Sequence, residues 1–309
     1  MANKESRSIK EQIELLKKRG MTINDEEFAR EQLRNISYYR LKGYWWDMQE
    51  DRERHVFQDG SRFEDVIARY SFDKELRLIL FDAIETIEIA LRTKMIYHLS
   101  QSYGGLYYTD DSLFVDKTLH QQHLKDLMNE FMRSSEVFVK EYKRKYGEWE
   151  DGKYVLKQQP DVWVIFELAT FGTLSKIYKN LNHQLPEKAR IANEFGLNLH
   201  NELSSWLEAI SYLRNSVAHH SRIWGRNMVK RPMNIKNPKG IWLRNPLQEA
   251  AEKKPYFVIT AMLYLCEAIG AGNSYKKKVI ALVKEHPQIP IYRLGFLDKW
   301  DEEPIWKEK

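Results

Sequence analysis

Five polar side chains crowd into nine positions of the C-terminal half: Arg214, Asn215, His219, His220 and Arg222. These types suit cleavage of RNA without a metal. In that reaction a 2′-hydroxyl loses a proton as it attacks the adjacent phosphorus, and the leaving 5′-oxygen gains one. The pentavalent phosphate between them carries extra negative charge. Histidine titrates near neutrality and can handle both protons. Arginine stays charged and can bind two phosphate oxygens at once. The same residues also have a plainer use, since paired histidines near a helix end complement its dipole and Arg or Asn there can cap carbonyls.

Spacing sets a geometric condition. The run closes an amphipathic segment that opens at Asn198 or His200, with Leu203, Trp206, Leu207, Ile210, Leu213 and Val217 as its buried stripe. On a regular helix Arg214 and His219, five positions apart, point roughly 140° away from each other. They can meet around one phosphate only if the helix ends between them or if two copies of the segment face each other. Asn215 and His219 are four apart and share a face, so Asn215 can orient the imidazole.

A metal site has less support. His219 and His220 are adjacent and diverge on a helix. His120 and His123 are three apart on another candidate helix, with no companion carboxylate pattern. Neither a metal nor a cofactor is expected.

The elements that must position these residues read as helices. Ile9, Ile13 and Leu16 mark a helix from Ser8 to Arg19, stopped by Gly20, and a second runs from Asp25 to Ile36. An aromatic knot follows, Tyr38 to Trp46, in which Gly43 predicts a tight turn or close packing and the rings are expected to pack rather than stack on bases. Asp51 to Ser61 reads as a loop. Phe63 to Ser100 is the strongest helical pattern, one long helix or two in line, with Phe72, Leu76, Ile79, Leu80, Ala83, Ile84, Ile87, Leu91 and Met95 on one face and Asp73, Glu75, Asp82 and Arg92 opposite. Leu119 to Tyr146 reads as one amphipathic helix, Glu148 to Pro160 as a β-hairpin turning at Asp151-Gly152, and Val162 to Leu181 as two helices broken at Gly172. Arg226 to Pro246 is loop-like, Tyr256 to Ile269 an apolar helix, and the aromatic tail Leu294–Trp306 is expected to dock on the surface. The fold class is therefore all-α with one small hairpin, divided into an N-terminal helical module, residues 1–60, and a larger helical domain, residues 61–309.

Composition agrees. With 43% hydrophobic and 30% charged residues, the chain is globular rather than disordered or membrane-like. No window approaches the roughly 18 apolar residues of a membrane helix, and the polar start, Met1 to Lys10, lacks a signal-peptide core. A cytoplasmic location without membrane attachment is expected. One cysteine, Cys266 in an apolar run, excludes an internal disulfide. The net charge of +5 permits RNA binding without demanding it. No Walker loop, dinucleotide fingerprint or Gly-x-Ser-x-Gly elbow is present.

Taken together, several segments resemble the Abi-2 abortive-infection family of the AbiD/AbiF type, within the HEPN ribonuclease superfamily. They are Ile36–Trp45, Tyr70–Arg92, Phe166-Glu167-x3-Phe171-Gly172-x-Leu174-Ser175, Arg214-Asn215-x3-His219-His220-x-Arg222-x-Trp224, and Gly295-Phe296-x3-Trp300. The resemblance implies a HEPN-like helical bundle that forms a homodimer, with two Arg/His motifs facing each other in one cleft. It implies an endoribonuclease toxin that cuts RNA without metal and leaves a cyclic phosphate, in some relatives restrained by a small noncoding RNA antitoxin. By position, Arg214 would stabilise the phosphate, His219 would transfer protons and Asn215 would position, with Arg222 a further RNA contact. His220 also satisfies the looser Arg-x5-His spacing. The tighter Arg-Asn-x3-His form favours His219. Glu85 or Glu88 would pair with Arg214, or serve as surface acids. The alternative function is a non-catalytic HEPN-fold protein that binds RNA or regulates.

Overall fold

A computed structural model describes residues 6–308. Residues 1–5, within the polar start Met1 to Lys10, and residue 309 lie outside the described residues. Three short helices and a pair of short strands open the fold. Helix α1 (Ile9–Lys18) begins at a capping box in which Ser8 and Glu11 satisfy each other's backbone N–H, and its Gly20 exit has φ +93°. Helix α2 (Glu26–Asn35) is capped by Asp25, and α3 (Tyr38–Trp45) by Ser37. The aromatic knot is thus itself helical. It buries Tyr44 and Trp45 and leaves Tyr39 and Trp46 exposed. The expected loop after it holds a small antiparallel pair, β1 (Gln49–Asp51) with β2 (Val56–Phe57), turned where the Asp51 carboxylate accepts the N–H groups of Glu53 and Arg54.

Helix α4 (Phe63–Tyr103) is the spine. Its 41 residues make one rod of about 60 Å. The stripe Phe72, Leu76, Leu80, Ile84, Ile87, Leu91, Met95 and Leu99 is buried, each large side chain contributing about 1.5–3 kcal/mol. Helix α3 and the helices spanning Phe171–Asn180, Pro186–Glu194, His200–Ala218, Pro255–Ala268 and Gly272–Glu285 pack along it. One placement differs from the periodicity: Asp73 is wholly buried rather than on the solvent face.

The expected single helix from Leu119 to Tyr146 is two, α5 (Lys117–Arg133) and α6 (Val137–Tyr146). Ser134 leaves the helical path at ψ 137° and its hydroxyl accepts the Glu136 N–H. Such side-chain-to-backbone bonds compete with helix continuation. Lys143 on α6 reaches back to the Met132 carbonyl at 2.7 Å, capping the end of α5. The predicted hairpin is present as β3 (Gly147–Glu150) and β4 (Lys153–Leu156), with Asp151 and Gly152 both at positive φ.

Helix α7 (Val162–Ile165) tightens into a 3₁₀ turn, and α8 (Phe171–Asn180) follows. The break lies at Ala169-Thr170, where Thr170 caps α8, and not at Gly172. Gly172 instead lets α8 approach the next-but-one helix, since a Cβ there would sit 3.3 Å from the Ser211 hydroxyl. Helix α9 (Pro186–Glu194), with Pro186 at its first turn, was not evident from periodicity. Then come α10 (His200–Ala218), a long irregular connection, the short α11 (Glu249–Glu252), the buried apolar α12 (Pro255–Ala268) and α13 (Gly272–Glu285).

The tail does not lie on the surface. Phe296 and Trp306 are buried against Tyr256 of α12, Trp300 packs on both of them, and the Trp306 indole donates to Thr260 at 3.1 Å. Buried side chains from Ile13 to Trp306 form one connected cluster. The chain is mostly helical, with two small antiparallel strand pairs rather than the one expected. No described helix is long and apolar enough to cross a membrane.

Candidate active site

Helix α10 delivers the polar run. Its stripe of Leu203, Trp206, Leu207, Ile210, Leu213 and Val217 is buried against α4, α8, α9 and α12, as the spacing predicts, which leaves the opposite side of its last turn outward. The helix then ends in a Schellman turn. Ser221 N–H bonds the Ser216 carbonyl at 2.8 Å and His220 N–H bonds that of Val217 at 2.9 Å. The turn requires a left-handed residue, usually glycine, and here it is His220 at φ +54°. A non-glycine residue held there costs about 1–2 kcal/mol.

Two neighbours hold the turn in place. Arg40 of α3 donates to the His220 carbonyl at 2.7 Å. Arg222 donates to the Gly43 carbonyl, and Gly43 has no room for more than hydrogen, since a Cβ would lie 2.9 Å from the Arg222 Cδ and Nε. The close packing expected at Gly43 is therefore against the site loop. Beyond it, the Asp73 carboxylate accepts the N–H of Ile223 at 3.1 Å and of Trp224 at 2.7 Å. Tyr44 donates its hydroxyl to the same carboxylate at 2.7 Å, and Arg77 pairs with it one turn along α4.

These anchors leave the polar residues of the run outward. Asn215, His219 and His220 are exposed and Arg214 is half-buried. The side chains of all four are without a hydrogen bond or close ion pair to any described residue. Arg214 acts on α4 at longer range. Burial raises the Glu88 carboxyl above its ordinary range, while the guanidinium groups of Arg92 and Arg214 pull the other way. Glu88 itself pairs with Arg92 at 3.0 Å, and Arg92 also donates to the Ala169 carbonyl. The helix does not end early enough to bring Arg214 and His219 together. His219 N–H still bonds the Asn215 carbonyl at 3.1 Å, so its backbone stays on the helical path, roughly 140° around from Arg214. Asn215 and His219 share one exposed face.

Sequence reasoning missed the anchors, Arg40, Tyr44, Asp73 and Arg77. A signal existed for one pair, because Asp73 and Arg77 stand four apart and flank the buried Leu76. His120 is buried with its ring stacked on Phe114 at 3.7 Å, a packing role. Among the described residues, no three of His, Cys, Asp and Glu gather as metal ligands.

The fold and site define a mostly helical protein that presents an exposed Arg-Asn-x3-His run at a helix end locked to its longest helix. The chain belongs to the family of Abi-like proteins, whose family model matches residues 31–225. That span starts within α2 and ends just past Trp224, so it holds the site run and every anchor. The fifth resembling segment, Gly295 to Trp300, lies outside it. Membership suggests a function in abortive infection. No match is found among curated proteins or among solved structures.

Proposed function

We propose that the chain is a metal-independent endoribonuclease toxin of an abortive-infection or toxin–antitoxin system, with the HEPN-type site composed by two copies. The observation that carries this reading is the run itself: a guanidinium, an amide and two imidazoles, free of internal partners, on a turn whose backbone is held by Arg40, Arg222 and Asp73. Preorganised, unengaged groups are what a phosphodiester site needs. The angle between Arg214 and His219 favours a dimer, in which the Arg214 of one copy meets the His219 of the other. Leu78, Phe81 and Ile89 are exposed along one strip of α4 beside Glu88, which is apolar surface that a second copy would cover.

In such a cleft one neutral His219 takes the proton of the 2′-hydroxyl as its oxygen bonds phosphorus. The bond from phosphorus to the 5′-oxygen breaks, and the His219 of the second copy, protonated, gives that oxygen its proton. Arg214 matches the charge that builds on the phosphoryl oxygens, and Asn215 orients the imidazole. The products are a 2′,3′-cyclic phosphate and a 5′-hydroxyl. The test is cleavage of single-stranded RNA in EDTA by the purified chain, with growth arrest on expression. Arg214→Ala and His219→Ala are each expected to abolish both. Cutting that persists in the two variants would reject the site, and RNA binding with no cutting under any condition would reject the enzyme.

A further inference from the structure

The anchoring loop forms one wall of a second feature. Past Arg222 the chain enters a cleft of about 330 Å³ between α3, the β1–β2 turn, the start of α12 and the tail. Its lining is unusual in charge. Arg52, Arg222, Lys254 and Arg293 meet there with a single acid, Asp47, and that acid is already paired with Arg69 at 3.1 Å and Arg293 at 3.2 Å. Trp46, Trp224 and Gly225 complete the lining. Trp224 is buried and serves the core, but Trp46 is 43% exposed although it belongs to a knot whose neighbours Tyr44 and Trp45 are buried. The Lys42 ammonium and the Arg52 guanidinium lie over its ring, 5.7 and 5.8 Å from the centroid, so a stacked base takes the place of one of them while the cation turns to the phosphate.

Arg293 shares Asp47, Arg222 holds the Gly43 carbonyl and Lys254 the Asn227 amide oxygen at 2.8 Å, so the cations outnumber the acids around a solvent-facing indole and form a recognisable pair of functions with it. Excess positive charge draws a phosphate, and a flat ring offers a stacking surface that tolerates any base. An acidic protein segment would satisfy the charge but gives no reason for the exposed indole. The position matters too. Arg222 is three residues beyond His219, so the cleft opens within about 11 Å of chain from the imidazole's backbone. We infer that this cleft is a subsite for one nucleotide of single-stranded RNA flanking the scissile phosphate, its base stacked on Trp46 and its phosphate held by Arg52 and Lys254. The inference rests on the reading of the chain as an RNA-handling protein, but it concerns binding and survives without cleavage.

The test is therefore made on binding, with full-length protein and a labelled 2′-O-methyl octauridylate, which has no free 2′-hydroxyl and cannot be cut by the proposed chemistry. Trp46→Leu is expected to weaken binding about tenfold with the salt dependence unchanged, and Trp46→Phe to restore it. Arg52→Ala with Lys254→Ala is expected to reduce the slope of log K against log salt by about 0.7, the worth of one phosphate on a single strand. Binding equal to the parent in both the leucine and the double variant would overturn the subsite, whether or not the protein cuts RNA. So would tighter binding of a polyglutamate peptide than of the oligonucleotide, which would mark the cleft as a dock for acidic protein. If the octauridylate results are as expected and unmodified RNA is never cut, the subsite stands and the ribonuclease reading alone falls.

Discussion

The carboxylate of Asp73 accepts the backbone N–H of Trp224 at 2.7 Å, across 151 residues of chain. That bond ties the loop carrying His219, His220 and Arg222 to the middle of the longest helix. The same carboxylate also takes Ile223 N–H, the Tyr44 hydroxyl and Arg77, so four donors converge on one buried group. Asp73→Ala would leave a buried guanidinium and two amides without partners, and breaking a buried pair in this way costs about 3–5 kcal/mol. The expected result is a urea midpoint lowered accordingly, with fast hydrogen exchange at the Ile223 and Trp224 amides. A loss below about 1 kcal/mol would show that water replaces the carboxylate, and the loop would then need another anchor.

His220 gives a way to separate two adjacent imidazoles. It occupies the left-handed position of the Schellman turn at φ +54°. Glycine adopts that conformation freely but loses more entropy on folding, so His220→Gly should raise stability by about 0.5–1 kcal/mol. Its carbonyl, which Arg40 grips, is kept in the variant. With His219 as the proton-transfer group, His220→Gly should cut RNA at close to the parent rate while His219→Ala does not. A stable glycine variant that has lost cleavage would move the chemistry to His220.

How much of this was legible beforehand depends on how local each cause is. Helices α4 and α10 were readable because their buried stripes repeat within a few residues, and the crowding of Arg214, Asn215 and His219 at the end of α10 was visible in the sequence. The β3–β4 turn was readable because Asp151-Gly152 carries its own backbone preference. The break at Ser134 was hidden, since it depends on a hydroxyl choosing the Glu136 amide over continued helix. Asp73 was assigned to the solvent face because its donors come from Tyr44 and from Ile223 and Trp224, which no window around residue 73 contains. The bond of the Arg222 guanidinium to Gly43 was hidden for the same reason, and the same side chain also lines the cleft beside Trp46.

The composite site predicts complementation. A dimer of Arg214→Ala chains lacks every copy of the guanidinium, and a dimer of His219→Ala chains lacks every copy of the imidazole. A mixed dimer keeps one of each, and if they face each other across the two-fold axis they form a partial site. Mixing the two inactive proteins after brief denaturation and refolding should therefore raise cutting at least about tenfold over either alone. Equal inactivity before and after mixing, with exchange of subunits confirmed, would mean that one guanidinium and one imidazole across the axis do not suffice, and that cutting needs both imidazoles or a site not shared between the copies.

At the far end of α10 a buried lysine makes stability depend on pH. Lys188 has no exposed surface, yet its ammonium faces no carboxylate within pairing distance among the described residues. It donates instead to the carbonyls of Lys179 at 3.0 Å and Leu181 at 2.6 Å, closing the end of α8, and meets the His183 ring at 3.2 Å. His183 in turn stacks on His200, the first residue of α10. Burial lowers the Lys188 ammonium to about 8, against about 10.4 for a lysine in the unfolded chain. Between those values the unfolded state still holds the proton that the folded state has released, so raising pH favours the fold. The gain ends near pH 10, where buried Tyr178, its own ionisation pushed upward by burial, begins to act in the opposite direction. Stability by urea titration should therefore rise by about 2 kcal/mol between pH 8 and pH 10 relative to Lys188→Met, which has no proton to lose. Parallel curves for the two proteins across that window would mean that the two carbonyls and the dipole of α8 compensate the buried charge in full, leaving Lys188 protonated in the fold.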